Sequence, residues 1–177
     1  MVARRQRGFS VIEAMIVVTV LVIMLALSAP MGSEWLANSR IRSAADGVLA
    51  GLQLARAEAV KRNTAVEFVL EAAPAANWTV RVALSGEEIQ SRPAGEGTAD
   101  VTVTPSPVGA TRISFDGLGR RVANIDGSNP LDRIDVDLPA TVLAADRTRD
   151  LRLQFGTGGQ IVMCDPNVAT GDVRKCP

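Results

Sequence analysis

The sequence predicts an α+β fold in which one long amino-terminal helix packs on an antiparallel β-sheet. Three observations support this prediction. Residues 9–29 are almost entirely apolar, and residues 33–62 repeat apolar residues at helical spacing. After residue 63 the pattern changes to short β-prone runs separated by Gly, Pro, Asn and Asp. A helix followed only by strands contains no βαβ unit, so the strands are expected to pair antiparallel.

The composition limits the functions that the chain can have. Its 177 residues fit one domain beyond an anchor, and 19 basic against 19 acidic residues give no net charge that favours a polyanion. Arg4, Arg5 and Arg7 precede the apolar run, so removal of that segment would leave a mildly acidic protein. Histidine is absent, and we find no nucleophile elbow, metal-ligand spacing or phosphate loop. We therefore expect no catalytic residue, no metal and no cofactor.

Residues 9–29 have the length and composition of a membrane-spanning helix, for which about 20 apolar residues suffice. The basic residues before them are expected to stay in the cytoplasm, which places the rest of the chain across the inner membrane in the periplasm. Glu13 interrupts the apolar run, and an unpartnered carboxylate there costs about 2.5–3.5 kcal/mol. A free amino group on Phe9, four residues earlier, would serve as its partner. A cleaved secretory signal peptide, a twin-arginine signal and a plain membrane anchor are alternative interpretations.

The segment Gly8-Phe9-Ser10-Val11-Ile12-Glu13 resembles the class III signal of prepilins. The resemblance implies that prepilin peptidase cleaves between Gly8 and Phe9 and that the new terminus, Phe9, is N-methylated. It also implies that Glu13 pairs with the terminal amine of a neighbouring subunit and sets the register of the filament. Pro30 lies where pilins commonly carry a helix-bending proline. The implied divisions are a leader (1–8), a transmembrane half-helix (9–30), an amphipathic stem (31–63) and a β-rich body (64–177).

The stem has one apolar stripe, whose members recur at steps of three and four residues and are expected to face the sheet. These are Ile41, Ala45, Val48, Leu52, Ala55 and Ala59. Asn63 is the expected end of the helix. Seven strands are predicted after it, at residues 65–70, 78–84, 101–104, 112–115, 134–138, 151–155 and 160–163. Residues 92–100 and 117–130 are predicted to be exposed loops.

Three later segments resemble the GspH/FimT family of pilin-like proteins: residues 52–59 (LQLARAEA), 113–120 (ISFDGLGR) and 156–166 (GTGGQIVMCDP). The resemblance implies a pilin-like fold and a non-enzymatic minor pilin or pseudopilin that helps to initiate a type IV pilus or related filament. Its partners would be other pilins, bound through the amino-terminal helix. Two alternative functions are a DNA-binding pilus-tip subunit for natural transformation and a GspH-like pseudopilin of a type II secretion system.

Two cysteines, Cys164 and Cys176, lie close together near the end of the chain. Such a pair in an exported protein suits a disulfide, with free thiols as the alternative. The resemblance to FimT-like proteins implies that the pair closes a terminal loop.

DNA binding depends on where the arginines lie. FimT-like proteins of naturally competent bacteria can bind DNA through a Gly-Arg-x-Arg motif, and the matching positions here read Gly159-Gln160-Ile161-Val162. Both arginines are replaced, which argues against DNA binding by that motif. Arg120, Arg121, Arg149 and Arg152 are the remaining candidates for a DNA-binding surface, which requires a clustered basic patch.

Overall fold

The computed structural model describes residues 10–71, 76–93, 98 and 100–177, with the side chains of residues 26–31 left out. One long helix, α1 (Val11–Arg62), precedes all the strands. It ends where the sequence predicts, because Asn63 adopts a left-handed conformation with φ 49° that stops the helix. Lys61 and Arg62 lie in its last turn, where the negative end of the helix dipole stabilises cations.

The chain divides into two compact units, one up to Leu36 and one from Ala37 to Pro177, which we call the body unit. Helix α1 contributes its second half to the body unit. The predicted apolar stripe of this half is completely buried, as expected for a helix face that packs on a sheet. Its six members are Ile41, Ala45, Val48, Leu52, Ala55 and Ala59.

Nine strands follow the helix in the described part of the chain: β1 (Val66–Leu70), β2 (Trp78–Val82), β3 (Glu88–Arg92), β4 (Thr102–Ser106), β5 (Arg112–Phe115), β6 (Arg121–Val122), β7 (Arg133–Asp137), β8 (Leu151–Phe155) and β9 (Ile161–Cys164). They form a five-stranded sheet in the order β3-β2-β1-β5-β6 and a four-stranded sheet in the order β4-β7-β8-β9. Every pair of neighbouring strands is antiparallel. The predicted α+β class is therefore confirmed.

Alternation along the strands places apolar residues against the helix. In β2, Trp78, Val80 and Val82 are buried, whereas Thr79 and Arg81 are only half-buried. Strand β1 lies at the centre of its sheet and is buried at all five positions. One of these is Glu67, whose carboxylate is satisfied by the guanidinium groups of Arg81 and Arg112. A buried charge in this strand is thus paired, as burial requires.

Two features of the sheets differ from the prediction. The sequence predicts one sheet, whereas the strands form two. Strands β3 and β6 are not predicted from the sequence. Strand β3 is a polar edge strand, mostly exposed, and therefore lacks a strong apolar alternation. Strand β6 has only two residues and lies within the segment 117–130 that was predicted to be a loop.

Candidate assembly helix and basic residues

The first half of α1 carries an exposed apolar surface. Every described side chain from Val11 to Leu25 is exposed, including Val11 at 79%, Ile12 at 68% and Met24 at 67%. So large an apolar surface is unfavourable in water and requires an apolar environment, such as a bilayer or the helices of other subunits. The polar Thr19 on the same stretch is satisfied within the helix, since its hydroxyl donates to the carbonyl oxygen of Met15 at 2.8 Å.

Glu13 lies in the first turn of α1 and is exposed among these apolar side chains. A carboxylate near a helix amino terminus is favoured by the helix dipole, but this term amounts to only about 0.3–1 kcal/mol. No ion pair to Glu13 is formed within the described residues. The expected partner atoms of the Gly8-Phe9 site lie outside the residues that the structure describes.

Pro30 falls within the residue range of α1, and its side chain is outside the described set. The bend expected at this position stays a prediction. Within the described part of the chain, no helix combines the length and the apolar character that crossing a bilayer requires.

A disulfide joins Cys164, at the end of β9, to Cys176, with the two Cα atoms 4.9 Å apart. The bridge that the sequence suggested is therefore present, and both cysteines are consumed by it. The loop that it closes is also held by the backbone: Asp165 N donates to Arg174 O at 2.8 Å. Lys175 Nζ donates to the carbonyl oxygens of two residues of the loop, Pro166 and Val168. The terminal segment is thus fixed against the edge of the four-stranded sheet.

Three of the four candidate DNA-binding arginines are neutralised by carboxylates. Arg120 donates from Nε and Nη2 to Asp116 Oδ2 at 3.1 and 3.0 Å. The backbone N–H of Arg120 contributes most to lowering the pKa of Asp116 below its usual range. Arg121 pairs with Asp132, and Arg152 pairs with Asp135.

The fourth candidate, Arg149, is exposed, and its backbone N–H donates to Asn38 Oδ1 at 2.8 Å. The four arginines also fall into two groups: Arg120 and Arg121 lie at the start of β6 in the five-stranded sheet, whereas Arg149 and Arg152 lie just before and on β8 of the other sheet. Their charges are paired or dispersed. Three of the four candidate arginines thus have a carboxylate partner among the described residues, whereas binding to a duplex requires a cluster of available cations.

The Gly159–Val162 segment forms the turn into β9. Gly159 has φ +77°, a conformation that favours glycine, and it approaches the carbonyl oxygen of Gly119. The side chain of Gln160 folds back against Gly156. This segment thus serves as a tight packed turn.

One polar cluster was not predicted from the sequence. Asp137 on β7 and Asp150, just before β8, bring their carboxyl groups together, and burial followed by the hydrogen bond to Asp150 raises the pKa of Asp137 to about 6. Asn167 donates to Asp150 Oδ2 at 2.6 Å. Nothing local marks such a pair, because the two aspartates are brought together only by strand pairing. No group of three residues suited to hold a metal ion occurs in the described part of the chain.

Two family models match this chain. The model of the type II transport protein GspH matches residues 44–174, and the prokaryotic N-terminal methylation motif matches residues 3–29. No curated protein matches it significantly.

Two crystal structures of the type IV minor pilin FimU from Pseudomonas aeruginosa share the fold. In one, the TM-score is 0.54, and the match covers 73% of this chain and 94% of that chain. In the other, the TM-score is 0.51, with coverage of 71% and 97%. Both are 17% identical to this sequence, so the likeness shows the fold alone. Because the GspH model spans well over half of the sequence, this chain belongs to the GspH family and is a minor pilin or pseudopilin.

Proposed function

We propose that this protein is a minor subunit that helps to initiate a type IV pilus or related pseudopilus, and that it has no catalytic role of its own. It is held in the inner membrane by residues 9–30, with the body in the periplasm, before it enters the filament. The match of residues 3–29 to the methylation motif and the exposed apolar surface of α1 support this proposal.

The proposal includes two processing steps. Prepilin peptidase cleaves between Gly8 and Phe9, and the amino group of Phe9 is then methylated. Both residues fall within the matched methylation motif. Cleavage is required for assembly in this proposal, because it creates the amino terminus that Glu13 of a neighbouring subunit binds.

The observation that carries the proposal is the position of Glu13. Its carboxylate stands in an exposed apolar helix surface, with no ion pair from the described residues. In a bilayer or a helix bundle an unpaired carboxylate costs about 2.5–3.5 kcal/mol, so a cation from outside this chain stabilises the assembled state specifically. The apolar surface thus supplies the association energy, and Glu13 selects one register.

The test compares Glu13→Gln with Thr19→Val in the native host. Glu13→Gln keeps the size and polarity but removes the charge, so we expect normal cleavage and loss of incorporation into filaments. Thr19→Val is the matched control, because the Thr19 hydroxyl is already bonded within its own helix. Filament counts and mass spectrometry of the mature amino terminus are the two readouts. Normal filaments with Glu13→Gln, or a mature terminus other than methylated Phe9, would contradict the proposal.

A second candidate function is a pseudopilin of a type II secretion machine, which the match to the type II transport protein GspH favours. Deletion of the gene separates the two candidates. Loss of surface pili with intact protein secretion indicates a pilus subunit, and the opposite pattern indicates a secretion subunit.

A further inference from the structure

Strand β9 is an outer strand of the four-stranded sheet, and the named strand that it pairs with is β8. Gly156 N donates to Gln160 O at 3.0 Å, which makes these two residues a hydrogen-bonded pair. Hydrogen-bonded pairs alternate along an antiparallel ladder, so the backbone bonds to β8 come from every second residue up to Cys164. The N–H and C=O groups of Ile161 and Met163 therefore point away from β8.

The terminal segment of the chain already uses this edge at one position. Asp165, which has the same orientation as Ile161 and Met163, donates to Arg174 O at 2.8 Å and accepts from Cys176 N at 3.4 Å. Among the described residues, no hydrogen bond reaches the outward backbone groups of Ile161 or Met163. The edge thus offers two donors and two acceptors to an incoming strand.

A groove runs beside the open edge, between β9 and the last turns of α1. It has a volume of about 620 Å³ and is lined by Gln53, Arg56, Ala57, Val60, Lys61 and Ile161. Val60 is 51% exposed, and Gln53 and Ala57 are also exposed. We call this surface, together with the outward edge of Ile161 and Met163, the β9 groove. An added strand would cover both its apolar floor and the unpaired backbone.

The charge of the β9 groove is positive. Arg56 and Lys61 line it, and none of the described residues that line it carries a carboxylate. Arg56 donates to a neutral acceptor, the carbonyl oxygen of Gly119, at 3.0 Å. Lys61 is 72% exposed and pairs with Glu58, and Arg62, which also contacts Glu58, has a second carboxylate partner in Glu87. Arg56 therefore adds a positive charge that no carboxylate among the described residues neutralises, and this charge favours an acidic partner and disfavours a second copy of the same groove.

We propose that the β9 groove binds an extended acidic segment of a partner protein, which adds to the four-stranded sheet as a fifth strand next to β9. Backbone hydrogen bonds to Ile161 and Met163 would give the register. Apolar side chains of the segment would cover Val60 and Ala57, and a carboxylate would pair with Arg56 or Lys61. This proposal concerns the body unit and is independent of Glu13 and of the type of filament.

The test uses the full chain in detergent micelles and a fluorescent, acetylated and amidated heptapeptide of valine and glutamate. Two matched peptides separate the contribution of charge from that of backbone hydrogen bonds. The first has lysine in place of glutamate, and the second has the same side chains as the parent but alternate amides N-methylated. We expect the affinity of each of these two peptides to be at least about tenfold lower than that of the parent peptide. The parent peptide should also slow hydrogen exchange of the Ile161 and Met163 amides.

Variants of the protein give a second test. Met163→Pro removes an outward donor while keeping the bonds to β8, and Arg56→Gln removes the charge while keeping a donor for Gly119. Both should weaken binding by about tenfold or more, whereas Val162→Thr, on the opposite face, should not. Equal binding of the N-methylated peptide, or unchanged affinity in Arg56→Gln, would overturn the proposal. Tighter binding of a single-stranded oligodeoxynucleotide, with exchange protection away from β9, would also overturn it.

Discussion

Gly51 of α1 and Trp78 of β2 lie so close that a β-carbon on Gly51 would be 2.8 Å from two atoms of the indole ring. Phe68 of β1 would be 2.9 Å from the same carbon. The two rings contact each other, with centroids 5.8 Å apart and planes at 35°. The missing side chain of Gly51 therefore sets how closely the helix approaches the five-stranded sheet.

Replacement of this glycine is expected to destabilise the body unit. In Gly51→Ala the new methyl group must displace two buried aromatic rings, at a cost of about 1–3 kcal/mol. Alanine is a better helix former by about 1 kcal/mol, which offsets part of that cost. Urea unfolding of the body unit should therefore show a lower midpoint with an unchanged slope.

Gly47→Ala is the matched control on the same helix. Its β-carbon would meet the guanidinium group of Arg92, the mobile end of a long side chain rather than a packed ring. We expect the free energy of unfolding to stay within about 1 kcal/mol of the parent value or to rise, because helix propensity now favours the variant. Equal effects of the two substitutions would show that the contact with Trp78 does not limit the packing.

The elements of the fold could be predicted from the sequence where the apolar pattern is local. The stripe from Ile41 to Ala59 repeats at helical spacing, and it is buried as that spacing requires. All seven predicted runs correspond to strands, because each run carries several β-branched or apolar residues. Strand β3 lacked that signal, since its exposed edge selects polar residues.

Strand pairing could not be predicted in the same way. Strand β1 pairs with β5 and β4 pairs with β7, so each pairing passes over intervening strands. The alternation within a strand says which side is buried but not which strand lies beside it. This is why one sheet was expected and two are present.

The ion pairs of the basic residues could not be predicted from the sequence either. Arg121 pairs with Asp132, eleven residues away in the sequence, and Arg152 pairs with Asp135, seventeen residues away. Arg152 lies opposite Asp135 across the paired strands β8 and β7, whereas Asp132 lies just before β7, in a different sheet from Arg121. The sequence alone predicted neither arrangement. The charges of individual arginines were visible from the sequence, but their neutralisation was not.

This neutralisation leads to a prediction about DNA. Because Asp116 and Asp132 already pair with Arg120 and Arg121, the double variant Arg120→Gln/Arg121→Gln should bind duplex DNA no more weakly than the parent. Gel shifts of the body unit at several salt concentrations measure this. Binding that falls steeply with salt and disappears in the double variant would show instead that these arginines form a DNA site.

The disulfide provides a prediction about stability. The bridge from Cys164 to Cys176 spans twelve residues, and closure of so short a loop is worth about 3 kcal/mol in the chain-entropy model. Reductant should therefore lower the free energy of unfolding of the parent and leave Cys176→Ser unaffected. Intact mass before and after reduction checks that the bond was present. Equal stability of the oxidised and reduced parent would contradict the expected contribution.

The aspartate pair at the end of the four-stranded sheet should make stability depend on pH. Burial first, and the neighbouring Asp150 second, raise the pKa of Asp137 to about 6 in the folded protein. Asp150 Oδ1 is buried and accepts no hydrogen bond from the described residues, so a proton on Asp137 supplies the missing donor. Since the folded protein binds this proton more tightly than the unfolded chain, the contribution of the pair is fully present below about pH 4 and is lost as the pH rises through about 6.

Asp137→Asn measures this contribution, because its amide can donate to Asp150 at every pH. The variant should be more stable than the parent at about pH 7.5, by up to about 3 kcal/mol, and this advantage should shrink at about pH 4.5. Comparison with the parent at each pH removes the opposite effect of Asp172, whose pKa is lowered to about 2 mainly by the side chain of Arg174. Asp146→Asn, at an exposed position, is the control for loss of one negative charge. A difference between Asp137→Asn and the parent that is the same at both pH values would show that the two carboxyl groups do not share a proton.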